Sequence, residues 1–165
     1  FFADEIVLHL VDFLSRLGSI SIMPDREPKS VLEAFEDAWV RFFGWPLSLR
    51  LDQDGSFDNG TFRAYADARG ITLKFVPGKS KTGAGIIERH NGILRTTADE
   101  LVKEGYRPSR AIKMARGAIN EGLKTDGYVP TQLAFGWQPR NWAAIISGTE
   151  TARLCLIWFD QIPQT

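Results

Sequence analysis

Two carboxylates, Asp52 and Glu88, have 35 residues between them, and the sequence around each singles them out. Asp52 closes an alternating apolar run, Leu47 to Leu51, of strand type. Glu88 opens a long helical pattern and has basic residues close behind it. One acid at a strand end and one at a helix start supply hard, anionic oxygens, the donors a Mg²⁺-type cation takes. A short helix, a strand and a glycine-rich loop fill the interval, and each would help bring the second acid back to the first.

The elements that must position them are legible in order. Residues 5–11 form a nearly continuous apolar run that suits a strand buried on both faces, and Ser19 to Met23 alternates as the next strand of a hairpin. Ser30 and Glu33 have capping-box spacing ahead of Val31, Leu32, Phe35, Trp39, Phe42 and Phe43, predicting a helix that Gly44 and Pro46 stop. Leu47 to Leu51 is a strand, Asp52 to Phe57 a turn, and Asn59 caps a short helix over 61–69. Ile71 to Val76 alternates as a further strand. Pro77 to Gly85, with three glycines and two lysines, reads as a mobile loop.

From Ile86 the helical period runs to about Glu104. At about 100° per residue, Glu88, Asn91, Gly92, Arg95 and Asp99 share one face, and Ile86, Ile93, Thr97 and Leu101 the opposite one. That is a polar stripe suited to a site, or equally the solvated face of an ordinary amphipathic helix. Gly92 costs about 1 kcal/mol against Ala in mid-helix, which close approach of another backbone or a nucleic acid would explain. Pro108 starts another helix that turns Ala111, Ile112, Ala115, Ile119 and Leu123 inward and ends near Gly127. Residues 128–140 are punctuated by Pro and Gly, and 141–165 form an apolar extension that suits strand or helix.

Composition bounds the answer. The chain has 165 residues, 44% of them hydrophobic, with five Trp and eleven Phe, enough for one domain with a substantial core. No apolar run reaches the roughly 18 residues of a membrane helix, and no signal-peptide layout is present. One Cys and two His exclude an internal disulfide framework and a structural zinc site of the Cys/His kind. The chain opens on Phe1-Phe2 in mid-pattern and so reads as part of something longer. Net charge is zero but uneven: residues 1–54 carry ten acidic and five basic side chains, and residues 74–116 carry ten basic and four acidic. The basic half suits a polyanion-facing surface, or a solvated helix surface with chance asymmetry.

These residues resemble a known family. Asp52 with Gly55 and Phe57, the 35-residue interval, and Gly85-Ile-Ile-Glu88-Arg-His-Asn91 are similar to the catalytic core of retroviral and LTR-retrotransposon integrases, the D,D-35-E group. Val11-Asp12-Phe-Leu-Ser-Arg16 resembles that family's V-D-x-x-S-R segment, and Val129-Pro130 to Pro139 its P-x-x-L-x-F-G-x-x-P segment. The resemblance implies a ribonuclease-H-like α/β fold over residues 1–140. It would have a mixed central sheet of about five strands, an antiparallel meander plus parallel strands, flanked by helices.

It also implies Mg²⁺- or Mn²⁺-dependent 3′-end processing and strand transfer of element DNA into target DNA, with two ions held by Asp52 and Glu88. The family's first-strand Asp falls by spacing at or just before Phe1; Asp4 is the nearest candidate ligand in the chain, at an expected hairpin turn, and Asp12 matches a residue the family does not use as one. Asn91 and Arg95 would meet DNA, as would Lys79 and Lys81 on the loop, for which plain loop solubility is the alternative. Self-association as a dimer or higher oligomer, work in the nucleus and no membrane partner complete the expectation. A non-catalytic DNA-binding or assembly module of the same fold, or a related transposase or nuclease, would share the architecture.

Overall fold

The computed structural model describes residues 2–52, 57–76, 84–124 and 127–136, with the backbone alone for Asp52, Val76 and Ala84. A hairpin comes first: β1 (Ile6–Val11) and β2 (Gly18–Met23) are antiparallel, Ile6 opposite Met23 and Val11 opposite Gly18. α1 (Pro28–Phe35) runs on through a π-helical segment, Glu36–Val40, into α2 (Arg41–Phe43). β3 (Ser48–Asp52) and β4 (Thr72–Val76) are parallel, and α3 (Gly60–Asp67) is the crossover between them. α4 (Ala84–Lys103), α5 (Pro108–Gly122) and α6 (Pro130–Phe135) follow.

β1 divides the core in two. Ile6, Leu8 and Leu10 join Val31, Ala34 and Phe35 of α1, Phe62 of α3, and Leu49, Leu51 and Leu73 of the parallel pair. Val7, with Ile20 and Ile22 of β2, faces Leu94 and Ala98 of α4 and Ile112, Ala115 and Ile119 of α5. The strand is thus covered on both faces, as its apolar run requires. The α5 residues Ala111, Ile112, Ala115 and Ile119 are all buried, in agreement with their spacing.

Two expectations need correction. The first helix begins at Pro28 rather than behind a Ser30 cap: proline suits a first helical position, and the Ser30 hydroxyl bonds the Asp25 carboxylate instead. The sheet expected as one of about five strands is, among the described residues, two sheets of two strands. Both pairings expected, antiparallel and parallel, are present. The two ribbons are linked by side chains rather than backbone: the shared apolar cluster, and the Arg50 guanidinium 4.7 Å above the Phe13 ring.

The segment read as punctuated by Pro and Gly contains α6, and its punctuation marks the ends of that helix. Pro130 holds its first position, Gln132 Oε1 accepts from the Val129 N–H at 3.0 Å, and Gly136 ends it at φ 70 in the left-handed region. The extension 141–165 lies outside the described residues.

Candidate active site

Parallel pairing of β3 and β4 sets Asp52 opposite Val76, so the two strands end level. The crossover that permits this starts at Asn59, whose side-chain oxygen accepts from the Phe62 N–H at 2.9 Å. Counted from Asp52, Glu88 is far along the chain; counted from Val76, at the same height, it is twelve positions on. Glu88 occupies the second turn of α4, exposed, its carboxylate without a hydrogen bond or ion pair to any described residue. The Asp52 side chain, Lys79 and Lys81 lie outside the described parts, and with them the separation of the two carboxyl groups.

The polar stripe is real. Glu88, Asn91, Gly92, Arg95 and Asp99 are all exposed, while His90, Leu94 and Ala98 form the buried line of α4, flanked by Ile86, Ile93, Thr97 and Leu101. A Cβ built on Gly92 meets nothing within 4 Å, so among the described residues no neighbour accounts for this glycine.

Beneath Asn91 lies a polar network that sequence reading missed. The β1 residue His9 points between α4 and α5, donating from Nδ1 to Asn91 Oδ1 at 2.6 Å. Its Nε2 accepts from Arg116 Nη1 at 3.1 Å, which fixes a neutral ring protonated on Nδ1. Arg116, 3% exposed, also donates from Nη2 to Asn120 Oδ1 at 2.9 Å. Asn120 in turn accepts from the Gly18 N–H at 2.9 Å and donates to the Gly18 carbonyl at 2.8 Å. One oxygen of Asn91 is therefore held from below, and its amide N–H groups are left for a partner. The only sequence signal was a polar side chain at position 9 in an otherwise apolar strand.

Charge in this network is governed by burial. Desolvation lowers the Arg116 pKa to about 10, and no carboxylate pairs with it among the described residues. His9 is lowered from 6.5 to about 4, first by burial, with Arg116 and His90 acting the same way and the Asn91 hydrogen bond opposing. His90 is also lowered, by burial and then by Arg116, Arg16 and Arg89. The unfolded chain takes up the His9 proton near pH 6.5 and the folded chain near 4, so the unfolded state binds more protons between those values. Stability should be full above about pH 6.5 and fall by about 2 kcal/mol as pH drops through that window, after discounting partial exposure of the ring. Urea midpoints across pH 4–7 read this, and His9→Gln should flatten the dependence.

The other two acids considered as ligands, Asp4 and Asp12, fall at turns. Ala3 and Asp4 have φ of 45 and 71, and form a two-residue hairpin tip closed by the Phe2–Glu5 bridge. Asp4 is exposed there. Asp12 Oδ2 accepts from the Ser15 N–H and hydroxyl, both at 2.7 Å, and from the Leu14 N–H at 3.1 Å, a turn cap. Among the described residues, no three His, Cys, Asp or Glu side chains gather into a group that could hold a metal.

Compared with solved structures, the HTLV-2 integrase catalytic core domain in complex with magnesium (trimeric form) aligns with a TM-score of 0.64 at 19% identity, over 78% of this chain and 92% of that one. The catalytic core of BIV integrase gives 0.69 at 17% identity, over 79% and 86%. The chain has the fold of a retroviral integrase catalytic core. A simian T-cell lymphotropic virus intasome, solved with PP2A regulatory subunit B56 gamma, aligns at 0.68 and 17% identity, over 98% of this chain and 58% of that one. No family model matches the sequence, and no curated protein does. Within this integrase-core fold, the described site has Glu88, Asn91 and Arg95 on one exposed helix face and the end of β3 level with the end of β4.

Proposed function

We propose that this chain is the catalytic core of an integrase-type polynucleotidyl transferase that processes DNA 3′ ends and transfers them into target DNA. The observation that supports it most is the β3–β4 register in an integrase-core fold. It puts Asp52 level with Val76, the end of β4, after which the chain leads on to the helix bearing Glu88. Glu88 fits a divalent cation: it is an exposed, acceptor-only carboxylate without a partner among the described residues. Asp52 and Glu88 would hold Mg²⁺ or Mn²⁺. Bound there, such ions would supply charge stabilisation for the attacking and leaving oxygens of an in-line displacement.

The chain's own contribution is positioning. Asn91, held through Oδ1 by His9, offers amide N–H groups to a phosphate or base one turn beyond Glu88. Arg95 extends the same face by another turn, and Lys79 and Lys81 would add phosphate contacts. The HTLV-2 cores are described as dimeric and trimeric forms, and self-association is proposed here too. So is work on chromosomal DNA in the nucleus.

The test uses a labelled DNA duplex and a plasmid target. Strand-transfer product is expected with Mn²⁺ or Mg²⁺ and none in EDTA. A chain that binds duplex yet gives no product with either ion is the non-catalytic assembly module instead.

A further inference from the structure

The side of α4 away from Asn91 carries a second feature. Arg89 is two positions from Asn91, about 200° around the helix, so it projects on the other flank of Glu88. There an open groove of about 430 Å³ runs between the β1–β2 turn, the first turns of α4 and the residues just after α5. Three cations line it, one from each segment: Arg16, Arg89 and Lys124. None has a carboxylate partner among the described residues. Arg16 is not a free-swinging surface side chain. Its backbone has a φ of 63, its Nη1 donates to the Phe13 carbonyl, and its guanidinium lies 5.1 Å from the Phe13 ring centroid.

Two further observations point to a ligand. His90 lines the groove at 5% exposure, and its buried Nδ1 has no hydrogen-bond partner among the described residues. Gly85, also at the groove, is exposed, and a Cβ there would meet nothing within 4 Å among the described residues, which leave the backbone of the first helical turn open to approach. N–H groups of a first turn have no intrahelical acceptor and favour anions. The contrast within the molecule is informative. A hollow of about 500 Å³ beside α3 and β4 also contains an arginine, Arg63, but there Asp58 pairs with it and Asp67 lines the same wall.

We propose that the Arg16–Arg89–Lys124 groove is a binding site for phosphate groups, distinct from the Asn91 face. The phosphates belong either to a DNA strand passing on the far side of Glu88 or to a free phosphate compound. The site needs no metal at Glu88, so it is tested without one.

The full chain, in EDTA, is titrated with a fluorescent duplex at several salt concentrations and, separately, with inorganic pyrophosphate by calorimetry. The comparison is wild type against Arg89→Gln/Lys124→Gln, which leaves the Arg16–Phe13 turn intact, and against Asn91→Ala. For a strand, the double variant should lose about tenfold in duplex affinity, and its log K against log salt slope should fall by roughly 0.9 for each phosphate no longer neutralised. Loss of pyrophosphate binding with unchanged duplex affinity assigns the groove to free phosphate. Unchanged binding of both overturns the proposal. An Asn91→Ala effect without a double-variant effect also overturns it while leaving the Asn91 reading intact. No effect of Asn91→Ala on duplex binding counts against that reading and not against the groove.

Discussion

Glu88→Gln should reduce metal-dependent strand transfer on the order of 10³-fold while the chain stays folded. Glutamine keeps the shape and length of the side chain and removes its charge. Hard divalent cations bind anionic oxygen far better than an amide carbonyl, and the stabilisation of both reacting oxygens goes with the bound ions. Stability should change by less than about 0.5 kcal/mol, because Glu88 is exposed and its carboxylate bonds no described residue. The measurements are product formation with Mn²⁺, Mn²⁺ affinity by calorimetry, and the thermal midpoint. Duplex affinity in EDTA should be retained, which separates a metal role from a DNA-contact role. Equal rates for variant and wild type would remove Glu88 from the mechanism. Asp52→Asn should behave in the same way if the two acids share ions.

How legible this was depends on the range over which each feature is encoded. The stripe on α4 is local: a 3.6-residue period in one segment decides which side chains face solvent, and Glu88, Asn91, Arg95 and Asp99 are exposed as that period dictates. The Asn59 cap is local too, one side chain to a backbone N–H three residues on. The start of α1 was misplaced because Ser30 and Glu33 imitate a capping box, while Pro28 two residues earlier satisfies a first turn at least as well.

The support beneath Asn91 is a different case. His9, Asn91, Arg116 and Asn120 lie on β1, α4 and α5, with sequence separations of 82 and 107 for the two His9 bonds. No period or short motif relates them. Only the packing of α4 and α5 on one face of the hairpin brings them together. The parallel register that sets Asp52 level with Val76 is likewise a product of the α3 crossover, not of either strand's own residues. The resemblance pointed to the fold for the same reason: it carries long-range arrangement that periodicity does not.

Among the described glycines, that network leaves least room for a methyl group at Gly18. An added methyl would sit closer than van der Waals contact to Arg116 Nη1, 2.6 Å from Cζ and 2.9 Å from Nε. An arginine end group normally swings away at little cost. This one cannot, because it is 3% exposed and held by His9 Nε2 at 3.1 Å and Asn120 Oδ1 at 2.9 Å. Gly18 cannot retreat either, since Asn120 grips both its N–H and its carbonyl. Overpacking and at least one broken buried hydrogen bond should together cost about 3 kcal/mol, read as a lowered urea midpoint with an unchanged slope. Arg116→Met supplies the control. It destabilises by stranding His9 and Asn120, yet it also removes the atoms the methyl would strike. In that background Gly18→Ala should cost less than about 1 kcal/mol, a coupling of roughly 2 kcal/mol. The same cost in both backgrounds would mean that the glycine is required by something other than the buried guanidinium.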